Sequence, residues 1–279
     1  MQIERVPFSG YPKLRRLMET GEPVCVTFEI EEGDTRERFR EVVPASGSVP
    51  VQETVPAQET VPAQETVPIQ ETVPIQETVP VQKAVPKKKV TGKGSEELPE
   101  KSGFLFCELV QKARMGEKFR ISGQNCSPGD YVLGLSEENP AEYYLKSGRY
   151  RDTQAAEKAA LSLPRLKRKF CSVVVEPLSL NKGNFDVLIL FLKPEKAMRI
   201  VQANAYSEGK RTVMDTMGAA SICGDCTVLA LEKGMSLSFG CKGSRKHSRY
   251  EDFEVPLGIA FEKVEEIEEG LSKLPETMC

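Results

Sequence analysis

Asp186-Val187-Leu188-Ile189-Leu190-Phe191-Leu192, with Cys171-Ser172-Val173-Val174-Val175-Glu176 upstream of it, decides the fold class. Both runs are short and almost continuously apolar, which predicts strands buried on both faces. Such strands need helices above and below them, and the sequence supplies these. Pro194 opens a helix over Glu195 to Ala205. Gln154 to Leu161 reads as an alanine-rich helix, and Phe104 to Ala113 has helical spacing that Gly116 stops. Glu262 to Leu274 places Val264, Ile267, Leu271 and Leu274 on one stripe. A further helix is expected to begin near Cys223 and end before Gly234, and Arg15 to Thr20 to close a first one. Val24 to Ile30 alternates and is β-branched, hence a strand; Lys118 to Ser122 and Met235 to Phe239 are read likewise. Strands and helices alternate irregularly, so the expectation is an α+β fold built on a mixed sheet.

A biased stretch interrupts this pattern. Val-Pro recurs every six residues from Val43-Pro44 to Val85-Pro86, and Val49 to Thr78 reads Val-Pro-x-Gln-Glu-Thr without error. A proline at that period removes backbone donors and fixes φ, which rules out a long helix or a central strand. One small apolar pair per repeat leaves no face to bury, so the sequence predicts disordered, extended coil. The expected organisation is therefore residues 1–42 as the first part of a globular domain, 43–100 as the repeat insertion, and 101–279 as the remainder. Closure entropy grows only logarithmically with loop length, so the fold can carry it. The repeat is read either as a neutral expansion or as a partner tether. Lys87-Lys88-Lys89 after it reads as a solvated charge run.

Net charge is −3 with the two signs evenly mixed, and Trp is absent. These features argue against a nucleic-acid partner. Met1 to Thr20 lacks an apolar core for a secretory signal, and Phe185 to Leu192 is too short for a bilayer. A cytoplasmic protein with no membrane partner is the expectation, with its eight cysteines as thiols or metal ligands rather than disulfides. Cys25, Cys107 and Cys171 sit in apolar segments and read as core packing.

Two segments can be superposed, which suggests duplicated lobes. Cys107, its helix, Met115-Gly116, the strand Phe119 to Ser122, Cys126 with Gly129, and Leu133-Gly134-Leu135 form the first. Cys226, Leu229 to Glu232, Gly234-Met235, the strand Ser236 to Phe239, Cys241 with Gly243, and Leu257-Gly258-Ile259 form the second. A pseudo-twofold would set Cys126 and Cys241 in equivalent positions facing one cleft.

The sharpest chemical signal is Cys223-Gly224-Asp225-Cys226 at a helix start. Paired thiols at this spacing suit metal ligation or thiol exchange. Adding Cys241 and His247 gives a three-cysteine, one-histidine zinc pattern; Cys126, Cys223, Cys226 and Cys241 together suit an iron–sulfur cluster. Structural cysteines are the alternative. Gly240 to Arg249 reads as a basic glycine loop in which Gly243, Ser244, Arg245 and Lys246 could grip a small anionic ligand. The opposing reading is a solvated cluster in which Arg245 pairs with Asp252 or Glu254. A single histidine leaves little room for triad catalysis.

Cys126-Ser127-Pro128-Gly129-Asp130-Tyr131-Val132-Leu133-Gly134-Leu135, Val174-Val175-Glu176-Pro177, Pro194 to Arg199, Cys223, Gly240 to Lys246 and Glu254 to Ile259, with Pro23 to Val26, carry a resemblance. The chain resembles the mainly archaeal and anaerobic-bacterial family catalogued as domain of unknown function 169, with the repeat standing outside the pattern. The resemblance implies a cytoplasmic setting where low-potential thiol and iron chemistry survives, and brings no reaction. Three functions follow as expectations: a binding or accessory module with a cysteine-lined pocket, a thiol-dependent redox or transferase enzyme, and a scaffold tethered through the repeat. Whether the protein is an enzyme stays open at this point.

Overall fold

Helices cover both faces of one six-stranded sheet in the computed structural model of the protein. It describes residues 11–30, 103–167, 170–182 and 185–275, with the backbone of Val42–Val43. The hexapeptide repeat, the lysine run Lys87-Lys88-Lys89 and Cys279 lie outside the described residues. The fold is α+β.

The strands are β1 (Val24–Glu29), β3 (Phe119–Ile121), β5 (Ser172–Pro177), β6 (Val187–Leu192), β7 (Met235–Leu237) and β8 (Val255–Ala260), in the order β3-β5-β1-β6-β8-β7. Every pairing is antiparallel. This corrects the mixed sheet that the sequence suggested. A two-residue strand β2 (Val42–Val43) pairs separately with β4 (Arg165–Leu166).

β5 and β6 are buried along their whole length, as their composition predicts. On one face, Val26, Phe28, Val173, Val175, Val187, Ile189 and Phe191 meet α2 (Phe106–Arg114), α5 (Thr153–Leu161) and their neighbours. On the other, Cys25, Leu188, Leu190, Leu257 and Ile259 meet α1 (Pro12–Leu17), α6 (Pro194–Ala205) and α9 (Phe261–Lys273). Helix α9 buries Val264, Ile267 and Leu271, the stripe read from its sequence. Its Gly270 lies against the Ala203 backbone of α6, where a β-carbon would come within 2.6 Å of the Ala203 carbonyl oxygen.

The topology has an approximate twofold between β1 and β6. From β1 the chain crosses β5 through α2 to reach β3, then returns through α3 (Ser127–Val132), α4 (Ala141–Lys146) and α5 to β5. From β6 it crosses β8 through a π-helix (Ser221–Val228) and α7 (Leu229–Lys233) to β7, then returns through α8 (Lys242–Ser248) to β8. The packing is exchanged in the same sense: α2 of the first half rests on α8 of the second, and the π-helix rests on α3. The expected duplication is thus present in the strand order. Its last step is corrected, because Leu133-Gly134-Leu135 closes α3 while Leu257-Gly258-Ile259 lies within β8, whose counterpart is β5.

Candidate functional site

Four helix starts converge on one face of the sheet, and each brings a cysteine. Phe106, Leu109, Val110 and Ala113 form the buried stripe of α2. Cys107 stands one position off that stripe, half-buried. Cys126 stands immediately before α3 at its N-cap, without a side-chain capping hydrogen bond. Cys241 stands immediately before α8, and its thiol accepts from the Ser244 N–H at 3.3 Å. Ser244 reciprocates, its hydroxyl accepting from the Cys241 N–H at 2.9 Å. This is a capping box with sulfur in the place of the usual oxygen. Gly240 to Arg249 is therefore not the expected loop but the start of α8, and Cys241 is what starts it.

Cys223 lies in the first turn of the π-helix, whose i to i+5 bonding begins with Asp225 N–H to Ala220 O at 3.3 Å. Ala220 enters it with φ of 51°, a left-handed conformation that costs a residue with a β-carbon. Beneath the helix, Gly258 of β8 faces the Cys226 carbonyl so closely that no side chain fits between them. A widened helix at a strained entry, pressed against the sheet, is what places Cys223.

Cys107, Cys126, Cys223 and Cys241 all lie within electrostatic reach of Cys223 and of one another. Each keeps part of its surface accessible. Cys223 is the most enclosed: protein surrounds it and drives its thiol pKa well up, and its residue packs against the core while keeping part of its surface accessible. The arrangement follows the pseudo-twofold, with Cys107 and Cys223 in first turns and Cys126 and Cys241 at caps. The wider turns of the π-helix shift its register, so Cys107 corresponds to Cys223 and not to Cys226.

Three of the four expected metal ligands, Cys126, Cys223 and Cys241, thus come together. Cys226 is wholly buried within the π-helix. Cys107 packs against the core, as read, and also lies within electrostatic reach of Cys126, Cys223 and Cys241. Cys171 is instead exposed, its thiol at 3.2 Å from the Glu29 carbonyl oxygen. Cys25 is core, as expected. Among the described residues no group of three or more His, Cys, Asp or Glu side chains is arranged to hold a metal ion. His247 is exposed on α8. The three-cysteine, one-histidine zinc pattern is therefore not assembled here.

Arg245 is also corrected. Its Nε and Nη2 donate to the Phe239 carbonyl at 3.1 and 2.7 Å, Nη1 to the Glu251 carbonyl at 3.0 Å and Nη2 to the Glu254 carbonyl at 3.1 Å. Its guanidinium lies 4.4 Å from the Tyr250 ring centroid. The side chain clamps the turn between α8 and β8 and has no donor left for an anion. Ser244 is buried and committed to Cys241, Ser221 and Tyr250. Of the expected anion grip, Lys246 is exposed on α8, and Gly243 has only the Cys241 sulfur near its open side, at 3.8 Å from a β-carbon.

The four thiols are not equivalent. Burial pushes Cys107 up to about 12, against the Ser248 hydroxyl that sits at its sulfur. Burial also raises Cys126, opposed by the Gly129 N–H. For Cys241 burial acts upward too, but hydrogen bonds from the hydroxyl and N–H groups of Ser221 and Ser244 outweigh it and hold the thiol below its ordinary value. Among these four thiols, iodoacetamide should therefore label Cys241 first in ligand-free protein. Its labelling midpoint should fall below 9.0 and rise in Ser221→Ala. Peptide mapping of the labelled sites checks this; equal labelling of Cys241 and Cys126 would contradict it.

Besides the unbonded hydroxyl of Ser248, two buried donors near these cysteines lack partners among the described residues. Tyr144 of α4 is fully buried with its hydroxyl unbonded, within electrostatic reach of Cys223 and Cys126. Gln124 fixes its Oε1 on the Phe106 N–H at 2.7 Å and leaves its buried Nε2 unbonded. Sequence reasoning missed both, and Cys107. The signal that was available was the repeated cap, Cys126-x-x-Gly129 and Cys241-x-x-Ser244, each placed where a preceding first-turn cysteine could meet it. The groove between α4 and α5, lined by Leu145, Thr153, Glu157 and Leu161, contains none of the thiols.

Comparison with known proteins agrees with the resemblance read from the sequence. The model of a family described as uncharacterised ArCR, domain of unknown function 169, matches residues 76–270. The chain is similar to the uncharacterized protein MJ0308 of Methanocaldococcus jannaschii, 29% identical over 193 residues, 64% of this chain and 83% of that protein. No solved structure matches. No helix among the described residues is long and apolar enough to cross a membrane.

Proposed function

From the premise that the chain belongs to the uncharacterised ArCR family, we propose that it is a binding module whose Cys107, Cys126, Cys223 and Cys241 hold an iron–sulfur cluster. The observation that carries this reading is that four half-buried cysteines, from four separate helix starts, lie within electrostatic reach of one another. A zinc ion draws its sulfurs to about 2.3 Å from one centre, and no such mononuclear arrangement exists among the described residues. An iron–sulfur cube accepts thiolates at its corners, much farther apart, and four cysteines are its usual complement.

Electrostatics points the same way. Bare thiolates are costly at this depth, as the raised Cys107, Cys126 and Cys223 show. Iron supplies the positive charge that offsets this, and burial of the cluster favours one-electron chemistry at low solvent exposure. The module would store or pass single electrons.

Anaerobic reconstitution with ferrous iron and sulfide tests the reading. The expected result is stoichiometric iron and sulfide, with visible absorbance that dithionite bleaches. Cys107→Ser, Cys126→Ser, Cys223→Ser and Cys241→Ser should each lose most of the iron, and Cys171→Ser should keep it. Protein that retains no iron, or a Cys107→Ser variant that binds as the parent does, would sink the proposal. A metal-free protein whose Cys241 alone alkylates rapidly would favour a thiol-dependent enzyme instead.

A further inference from the structure

We infer that the groove between α4 and α5 is a docking site for an amphipathic helix of a partner protein, one whose apolar stripe is flanked by lysine or arginine. The two halves of the fold close the same circuit differently. In the second, α8 alone returns the chain to β8; in the first, α4 and α5 are added between α3 and β5. The inner side of this addition belongs to the core, with Tyr144, Ala156 and Ala160 fully buried. The outer side stays open. A groove of about 580 Å³ runs between the two helices, and Leu161 and Leu145 on its walls are 62% and 38% exposed. The apolar surface continues past Leu161, where the sulfur of the exposed Met217 meets the Ser162 hydroxyl at 3.3 Å. Scattered apolar residues on a surface are ordinary, but an apolar depression marks a contact.

The polar part of the lining sets the sign of the partner. Glu142 and Glu157 line the groove, and no lysine or arginine does so among the described residues. Glu157 has no ion-pair partner among the described residues. Glu142 meets Lys146 at 2.6 Å, one turn along α4, but both side chains are exposed. Such a pair contributes little and exchanges partners readily. Both carboxylates are thus open to cations brought by the occupant, and they repel anionic lipid or nucleic acid. The shape of the walls asks for a helix. Ala141 and Leu145 stand one turn apart on α4, and Thr153, Glu157 and Leu161 one turn apart on α5. Each wall is therefore a ridge along its own helix, and the α5 ridge is about 12 Å long. A third helix seats on two such ridges and sets its own i, i+4 apolar pair against Leu145 and Leu161.

Fluorescence anisotropy of two labelled model peptides with the full chain tests this. One is an amphipathic helix with leucine on its stripe and lysine on its flanks; the other carries glutamate in place of lysine. The lysine peptide should bind and the glutamate peptide should not. Leu161→Ser should weaken binding of the lysine peptide about tenfold. Leu180→Ser, at an exposed leucine outside the groove, should leave it unchanged. Glu142→Lys combined with Glu157→Lys should reverse the preference, taking the glutamate peptide and rejecting the other, which non-specific adhesion does not do. The changed residues are exposed, so each variant should fold like the parent, as circular dichroism checks. Amide exchange of the parent with the lysine peptide should show new protection in α4 and α5. A parent that ignores the lysine peptide, or whose binding survives both Leu161→Ser and the charge reversal, overturns the inference. So does a parent that dimerises until Leu161→Ser is introduced, because a second copy then fills the groove. None of these readouts depends on iron uptake.

Discussion

Glu254→Leu should destabilise the protein by about 3–5 kcal/mol, the loss seen when one partner of a buried ion pair is removed. For a folded unit of this size that corresponds to a fall of roughly 6–20 °C in Tm. Arg114 and Glu254 are 1% and 5% exposed, and they meet in a two-pronged bond with Nη1–Oε2 at 2.9 Å and Nη2–Oε1 at 2.5 Å. Arg114 also donates to the Thr20 carbonyl at 3.0 Å and the Thr20 hydroxyl at 2.6 Å, and its guanidinium lies 5.0 Å from the Phe191 ring centroid. The pair thus ties the end of α2, in the first half of the fold, to the turn entering β8 in the second. Without Glu254 the guanidinium stays buried with no countercharge. Arg114→Met combined with Glu254→Leu should recover much of the loss, because no orphaned charge then remains. Urea unfolding of Glu254→Leu, Arg114→Met and the double variant measures the coupling. A loss below about 1 kcal/mol for the single change is the value of an exposed pair and would show that water reaches this one.

Gly258→Val should be the most damaging single change at the candidate site. A β-carbon at Gly258 collides with the Cys226 carbonyl and comes within 3.0 Å of the Ala230 β-carbon. Both atoms belong to the helix that carries Cys223, so that helix must lift off the sheet. Overpacking of this kind costs roughly 1–3 kcal/mol, and more where backbone has to move. Gly243→Ala, whose new methyl meets only the Cys241 sulfur at 3.8 Å, is the control and should be tolerated. Thermal melting and iron content after reconstitution should fall together in Gly258→Val. A loss of stability with full iron content would mean that the helix moves without carrying Cys223 with it.

How far the sequence shows the site can be judged residue by residue. Cys126 and Cys241 were matched by the order of elements around them, and the structure sets both at helix caps in equivalent halves. Cys226 was favoured over Cys107 because it completes a short motif with Cys223. Three residues apart, the two would share a face of an α-helix, but the wider turn of the π-helix separates them, and Cys226 is wholly buried. Arg245 looked free because its partners are carbonyl groups, which no side-chain pattern reveals. Tyr144 lies in a segment where the sequence suggests no helix, and α4, which carries it into the core, packs on α5.

The sequence by itself determined the elements that rest on local pattern. The period of α9, the proline that opens α6 and the apolar runs of β5 and β6 each act through neighbours a few residues away. Such short-range terms are the same wherever the element ends up. Only the tertiary structure decided strand direction and the makeup of the cysteine site. β5 and β6 are buried on both faces, which suggested parallel pairing, but β1 lies between them and runs opposite to both. Burial tells a strand that it is covered, not which way its neighbour runs. Likewise each cysteine obeys its own helix start, and the four thiols meet only because two similar halves pack about a common axis.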